Sequence, residues 1–325
     1  MKDFRFVVVA GLLAVFAGCG AFAAAGGAPA SRVVMIGVDG LGARWIPWDD
    51  MPNLRALRDE GLYAVGRAHF PTLSAPNWTT VFTGMPIELH GTRDNSGAPK
   101  VEPWKPSSDF PPSESAGGSA PDCNPPFPCV FSEVRRQAPG AFTASAFAWK
   151  GIGWCMATNL VDEARHFGGT ADEYAERDAG AVDWALSLLP RAPLLAFYYQ
   201  GQVDMAGHRF GWGGPEFTNA CRNVDANVGR IVEAYKAAGL WDGAAVVLVA
   251  DHGGHDKTHG DATVECFDVP FVVSGPAARA LRLREPVMLM DTAPTILSLL
   301  GLGIPETMRG RPAAVPLSSR LRPDL

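Results

Sequence analysis

Four clusters in this 325-residue chain hold side chains able to do chemistry. They are Asp39-Gly40, Pro71-Thr72-Leu73-Ser74-Ala75-Pro76-Asn77, Asp204-Met205-Ala206-Gly207-His208, and Asp251-His252-Gly253-Gly254 followed by His255 and His259. Of seven histidines, four fall in the last two clusters, so they are concentrated where the aspartates are. Carboxylate oxygen and neutral imidazole both suit zinc. Three Asp and three His are too many ligands for one tetrahedral ion and about right for two. Taken singly, each cluster is ordinary. Asp39-Gly40 alone is a common turn. Asp204 and His208 at i, i+4 make a plausible surface pair, and Ser74 before Ala75-Pro76 could only cap a helix. Four such clusters in one chain make coincidence a poor account.

The elements that would position them are legible. Arg32 to Val38 is a β-branched run ending at Asp39-Gly40 and predicts a buried strand. Leu194 to Tyr199 predicts a strand leading to Asp204, and Ala245 to Ala250 a fully apolar strand ending at Asp251-His252. Ala141 to Ala148 and Val269 to Val273 read as further strands. Helical spacing covers 51–60, 77–82, 130–137, 171–189, 216–238 and 292–300, most of these closed by Gly or Pro. Apolar strands alternating with amphipathic helices predict an α/β three-layer sandwich around a mostly parallel sheet. In such sheets ligands bind beyond the carboxyl ends of the strands. The three aspartates Asp39, Asp204 and Asp251 fall at or just after such ends.

With 47% apolar and 19% charged residues, the chain is not of the disordered class. Its net charge of −6 gives no electrostatic footprint for a nucleic-acid polymer. One domain is expected from about 30 to 325, interrupted by a Pro/Ser/Gly-rich insert at about 94–128, the length at which lids and binding loops occur. Residues 1–23 read as an export leader: Lys2 and Arg5 precede an apolar centre from Phe6 to Phe16. Phe16-Ala17-Gly18-Cys19 fits a lipoprotein leader with Cys19 lipidated and attached to a membrane. Ala21-Phe22-Ala23 fits ordinary signal cleavage, and an uncleaved anchor is a third reading. A periplasmic or secreted location follows from the first two. Export permits disulfides, and Cys123 and Cys129 could close a short loop.

The ordered clusters resemble the alkaline phosphatase superfamily, within it the type I phosphodiesterase/nucleotide pyrophosphatase branch and its sulfatase-like relatives. The resemblance runs from about Val33 to Arg309. It implies two zinc sites, or sites for other divalent cations: Asp39, Asp251 and His252 hold one ion, and Asp204, His208 and His259 the other. His255 is the rival to His259, which sits in a later Thr258-His259-Gly260. Ser74-Ala75-Pro76-Asn77 resembles the family's nucleophile segment Thr-Phe-Pro-Asn, which makes Ser74 the implied nucleophile, with oxygen on the metal, and Thr72 its rival. Thr83-Gly84-Met85-Pro86-Ile87-Glu88-Leu89-His90-Gly91 resembles the family's Thr-Gly-x-x-Pro-Glu-x-His-Gly, with Ile87 as an extra residue. Asn95 falls where this branch has an Asn that binds the phosphoryl oxygen. The chemistry is consistent, because a serine hydroxyl is a weak nucleophile that metal coordination can activate.

The resemblance implies a hydrolase that cleaves phosphodiesters or nucleotide pyrophosphates, with small-molecule phosphoesters as substrates. A phosphomonoesterase is the alternative and needs further cationic groups, for which Arg93, Lys150 and Lys257 are candidates. A sulfatase matures its nucleophile within Cys/Ser-x-Pro-x-Arg, and Trp78 stands here where that Arg is required. A non-catalytic binding protein would be expected to have lost a ligand, and none is lost.

Overall fold

The computed structural model describes residues 29–96, 128–156, 158–279 and 281–316. The leader with Cys19, the loop residue Cys123 and most of the Pro/Ser/Gly-rich insert lie outside the described residues. Among the described residues ten strands run in chain order: β1 Arg32–Val38, β2 Leu62–Arg67, β3 Thr143–Phe147, β4 Glu163–His166, β5 Leu195–Gln200, β6 Ala244–Val249, β7 Asp268–Ser274, β8 Leu281–Leu283, β9 Val287–Met288 and β10 Ala314–Pro316. Eight of them form one sheet in the order β4-β3-β5-β1-β6-β7-β2-β9, and β8 pairs with β10. β1 lies parallel between β5 and β6. β7 runs antiparallel to both its neighbours, so the sheet is mostly parallel with one reversed strand.

Burial explains the central position of β1 and β6. Every residue of β6 is buried, as are the last six of β1, which is what a parallel sheet covered on both faces demands. The helices Pro52–Glu60, Tyr174–Ser187, Gln202–Phe210 and Pro215–Ala237 pack on one side. Ser74–Thr83, Val130–Gln137, Ile152–Cys155 and Thr292–Leu299 pack together on the other, giving the expected three layers. Phe82 fills the second interface, with its ring 5.1 Å from Phe197 and 6.3 Å from Phe131. Among the described residues no helix is long and apolar enough to cross a membrane.

Two helix starts are held by buried carboxylates from elsewhere in the chain. The helix Pro52–Glu60 has no cap of its own. Asp225 supplies one by accepting from Asn53 N at 3.1 Å and Leu54 N at 2.7 Å. Asp178 does the same for the helix Gln202–Phe210, accepting from Gly201 N at 2.8 Å and Gln202 N at 2.9 Å. Orphan N–H groups at a helix start need such acceptors. The second cap matters for the site, because that helix carries Asp204 and His208.

Candidate active site

β1, β5 and β6 deliver their carboxyl ends to one place, and the three aspartates follow directly. Asp39 is the first residue past β1, and Asp251 lies two past the end of β6. Asp204 and His208 are not on a loop: they occupy successive turns of the helix Gln202–Phe210, which starts two residues after β5. Gly40 allows the approach. Its φ is +71°, and a Cβ there would stand 2.8 Å from the Cα of Asp204.

The six expected ligands converge. His252 Nε2 lies 3.5 Å from Asp39 Oδ1 and 3.3 Å from Asp251 Oδ2. His208 Nε2 is 3.5 Å from Asp204 Oδ2, His259 Nε2 is 3.8 Å from Asp204 Oδ1, and the two Nε2 atoms are 3.0 Å apart. The rings of His252 and His259 stack at 3.8 Å and join the two groups. Ser74 Oγ lies 3.1 Å from His252 Nε2.

The residues fit divalent cations on two grounds. Asp39 Oδ1, Asp251 Oδ2 and Asp204 Oδ1 are buried with no hydrogen-bond partner, although buried carboxylate oxygens ordinarily have one. The histidines are oriented from behind. His252 Nδ1 donates to Gly253 O, His208 Nδ1 to Lys257 O and His259 Nδ1 to Thr72 O. A proton on each Nδ1 leaves each Nε2 with a lone pair facing the bare oxygens, the usual arrangement behind metal-ligating imidazole. Electrostatics agree. Burial raises the pKa of Asp39, and of Asp204 and Asp251 well above the carboxylate range, the last two pushed further by neighbouring carboxylates. Burial lowers His252 and His259 to about 3, which keeps both neutral. Three crowded carboxylates beside neutral imidazoles are costly as a metal-free set and suited to positive charge.

The rivals sit elsewhere. His255 is bound on both ring nitrogens, to Asp256 Oδ2 and Asp261 Oδ2, each at 2.9 Å. Cys266 Sγ approaches Asp261 as well, so His255, Asp261 and Cys266 form a separate outer group bound to one another. Thr72 uses its hydroxyl to tie a loop, donating to Asp261 O at 2.9 Å and accepting from Gly260 N at 3.0 Å. Ser74 is not a cap: it is the first residue of its helix, with no side-chain cap bond there, and its hydroxyl faces His252. Asn95 accepts from Ala75 N at 2.8 Å, beside Ser74. Arg93, Lys150 and Lys257 are exposed, and only the carbonyl of Lys257 touches the cluster.

Sequence reasoning missed four supporting residues. Trp78 and Tyr199 both hold Asp39, and Trp212 sets its ring edge-on to His208 while donating to Gly40 O at 2.8 Å. The fourth is Asp178, whose cap has no local signature. Asp178→Ala is expected to cost about 1–2 kcal/mol of stability by removing that cap. It is also expected to weaken metal retention, since Asp204 and His208 ride on the helix it starts. Chemical denaturation and metal titration of the variant check both effects.

A mostly parallel sheet between two helical layers, with Asp and His side chains gathered at its carboxyl edge, fits the alkaline phosphatase superfamily. Within it the chain belongs to the type I phosphodiesterase / nucleotide pyrophosphatase family, whose model matches residues 33–285. A bis(5'-adenosyl)-triphosphatase of Mus musculus is 25% identical over 228 residues, 69% of this chain and 47% of that protein. Ectonucleotide pyrophosphatase/phosphodiesterase family member 3 of Rattus norvegicus is 26% identical over 261 residues, 76% of this chain and 28% of that protein. A 2,3-bisphosphoglycerate-independent phosphoglycerate mutase of Rhodopirellula baltica is 41% identical over 99 residues, 29% of this chain and 18% of that protein. The chain therefore spans less than half the length of these curated relatives. Among solved structures, murine ectonucleotide pyrophosphatase/phosphodiesterase 5, an inactive form in complex with AMP, matches with TM-score 0.62 at 15% identity. That match covers 85% of this chain and 96% of that one. A 2-O GAG sulfatase matches with TM-score 0.64 at 14% identity, covering 86% and 73%. At such identities the likeness speaks for the fold alone.

Proposed function

We propose that the protein is an exported two-cation hydrolase that cleaves phosphodiesters or nucleotide pyrophosphates with Ser74 as nucleophile. The observation that carries this reading is the trio of bare, buried carboxylate oxygens facing three Nε2 lone pairs, with the Ser74 hydroxyl at their edge. Asp39, Asp251, His252 and Ser74 would hold one zinc or other divalent ion, and Asp204, His208 and His259 the second. When bound, the pair supplies Lewis-acid stabilisation of the attacking and leaving oxygens of an in-line displacement. Ser74 Oγ, its proton passing to solvent, bonds to phosphorus as the bond to the leaving oxygen breaks; the leaving oxygen takes a proton from water, and a second water then hydrolyses the seryl phosphodiester, releasing the phosphomonoester and restoring the serine hydroxyl. The helix Ser74–Thr83 begins at the nucleophile, so the positive end of its dipole favours the developing anion. Asn95 fixes itself through Oδ1 and keeps its amide hydrogens for a phosphoryl oxygen.

A serine–histidine pair working without metal is the second reading that the 3.1 Å contact invites. The ring's other contacts oppose it. In a triad the carboxylate holds Nδ1, on the far side of the ring from serine. Here Nδ1 faces a backbone carbonyl, and both carboxylates crowd the same nitrogen as Ser74. Three oxygens around one nitrogen fit a shared cation better than a proton relay.

Diester specificity is supported by the surroundings, since no Lys or Arg side chain pairs with the cluster among the described residues, and a monoester dianion carries the extra charge to be met. Trp78 in place of the sulfatase Arg argues against sulfate esters. The export reading rests on the leader and on relatives named as ectonucleotide enzymes. Turnover of bis-p-nitrophenyl phosphate is expected to exceed that of p-nitrophenyl phosphate and p-nitrophenyl sulfate. A reversed order assigns the protein to monoesters or sulfates. Asn95→Ala removes one transition-state donor, a loss of roughly 2.7–4 kcal/mol by analogy with oxyanion-hole donors. It is expected to lower kcat as well as raise KM, and steady-state kinetics on the diester check it.

A further inference from the structure

Trp78 entered the sequence reading only as the residue that rules out sulfatase maturation. In the fold it is fully buried, one helical turn after Ser74 and on the same helix face. Its Nε1 donates to Asp39 Oδ2 at 3.0 Å. Tyr199 donates its hydroxyl to the same oxygen at 2.8 Å, from the adjacent parallel strand. The two rings meet edge-on at 5.9 Å. Gly37 makes room for this: a Cβ there would stand 2.5 Å from Trp78 Cη2, so only glycine lets the indole lie across β1.

The distribution of donors is informative. Satisfying a buried carboxylate would call for donors on both oxygens. Here both fall on Oδ2, and Oδ1 is left bare, 3.5 Å from His252 Nε2. Asp251 repeats the pattern, with Gly40 N on Oδ1 at 3.2 Å and Oδ2 bare. An indole can only donate, so this Trp is tied to an acceptor at that spot. We propose that Trp78 and Tyr199 are positioning residues that hold Asp39 as a one-oxygen ligand of the first cation and lock it to the helix bearing Ser74. The inference rests on the metal reading given above. One indole then registers two functional groups, the ligand across a hydrogen bond and the nucleophile through one turn of helix.

The test is zinc chloride titration, in competition with a chromogenic chelator, of the full protein and of the variants Trp78→Phe and Tyr199→Phe. Each variant removes a donor and keeps a ring, and Tyr199→Phe deletes a single oxygen. In each variant one of the two zinc sites is expected to weaken by roughly 10–100-fold, the usual effect of losing an outer partner of a metal ligand, while the other keeps its affinity. At saturating zinc, Trp78→Phe is expected to lower kcat with KM nearly unchanged, because Ser74 loses its registration. A purely structural role predicts lower melting temperatures with and without zinc, and the same rise on adding it. Unchanged zinc affinity at both sites in both variants overturns the proposal and leaves the metal reading standing. Wild-type protein that takes up no zinc overturns the metal reading and this inference with it.

Discussion

Ser74→Ala is expected to lower kcat for a diester by about 10³-fold or more while the protein stays folded. That is the scale on which losing an activated nucleophile is felt. The hydroxyl caps nothing, so its removal costs the helix Ser74–Thr83 little. What it does contact is His252 Nε2, in the middle of the ligand group. Ser74→Thr keeps a hydroxyl and matches the family's own nucleophile, so it is expected to retain a measurable fraction of turnover. Thr72 gives no substitute, since its hydroxyl is bound to Asp261 O and Gly260 N. Turnover and melting temperature measured together decide the matter. A Ser74→Ala protein with near-normal turnover returns the serine to a structural role.

Asp251→Ala is expected to abolish most activity and most zinc retention at one site. The carboxylate is fully buried, so the change has two opposing structural effects. Gly40 N loses its acceptor, a loss of roughly 1–3 kcal/mol for a buried donor. Removing one of three crowded carboxylates also relieves repulsion in the metal-free state. The metal-free protein is therefore expected to melt close to wild type, whereas the rise in melting temperature on adding zinc shrinks sharply, because ligand stabilisation follows affinity. His208→Ala acts on the second group and is expected to lose activity at still smaller structural cost, its side chain being 41% exposed. Wild-type turnover with full metal occupancy in either variant contradicts that ligand's assignment.

Much of this site follows from short-range pattern. Apolar runs mark β1, β5 and β6, and each ends where an aspartate begins or shortly before. The i, i+4 spacing of Asp204 and His208 also predicts a shared face, although no helix was read over these residues. Glycine at 201, 207 and 211 obscured the helix between them. The helix at Ser74 begins three residues before the expected Asn77, because Pro76 falls in the first turn, where a missing N–H costs nothing. β2 escaped notice because its burial does not alternate cleanly and it ends in Gly66-Arg67. The reversed direction of β7 is a pairing property that its own apolar residues do not encode. The supporting residues were hidden for the same reason. Asp39, Trp78 and Tyr199 are brought together by register and helix packing, over separations that no local motif spans.

The account is tested most directly by diester turnover as zinc is returned to protein stripped with chelator. Bis-p-nitrophenyl phosphate hydrolysis is predicted to be lost on stripping, to rise with added zinc, and to level off at about two equivalents. Full activity in excess chelator, or a plateau reached without any zinc taken up, contradicts it.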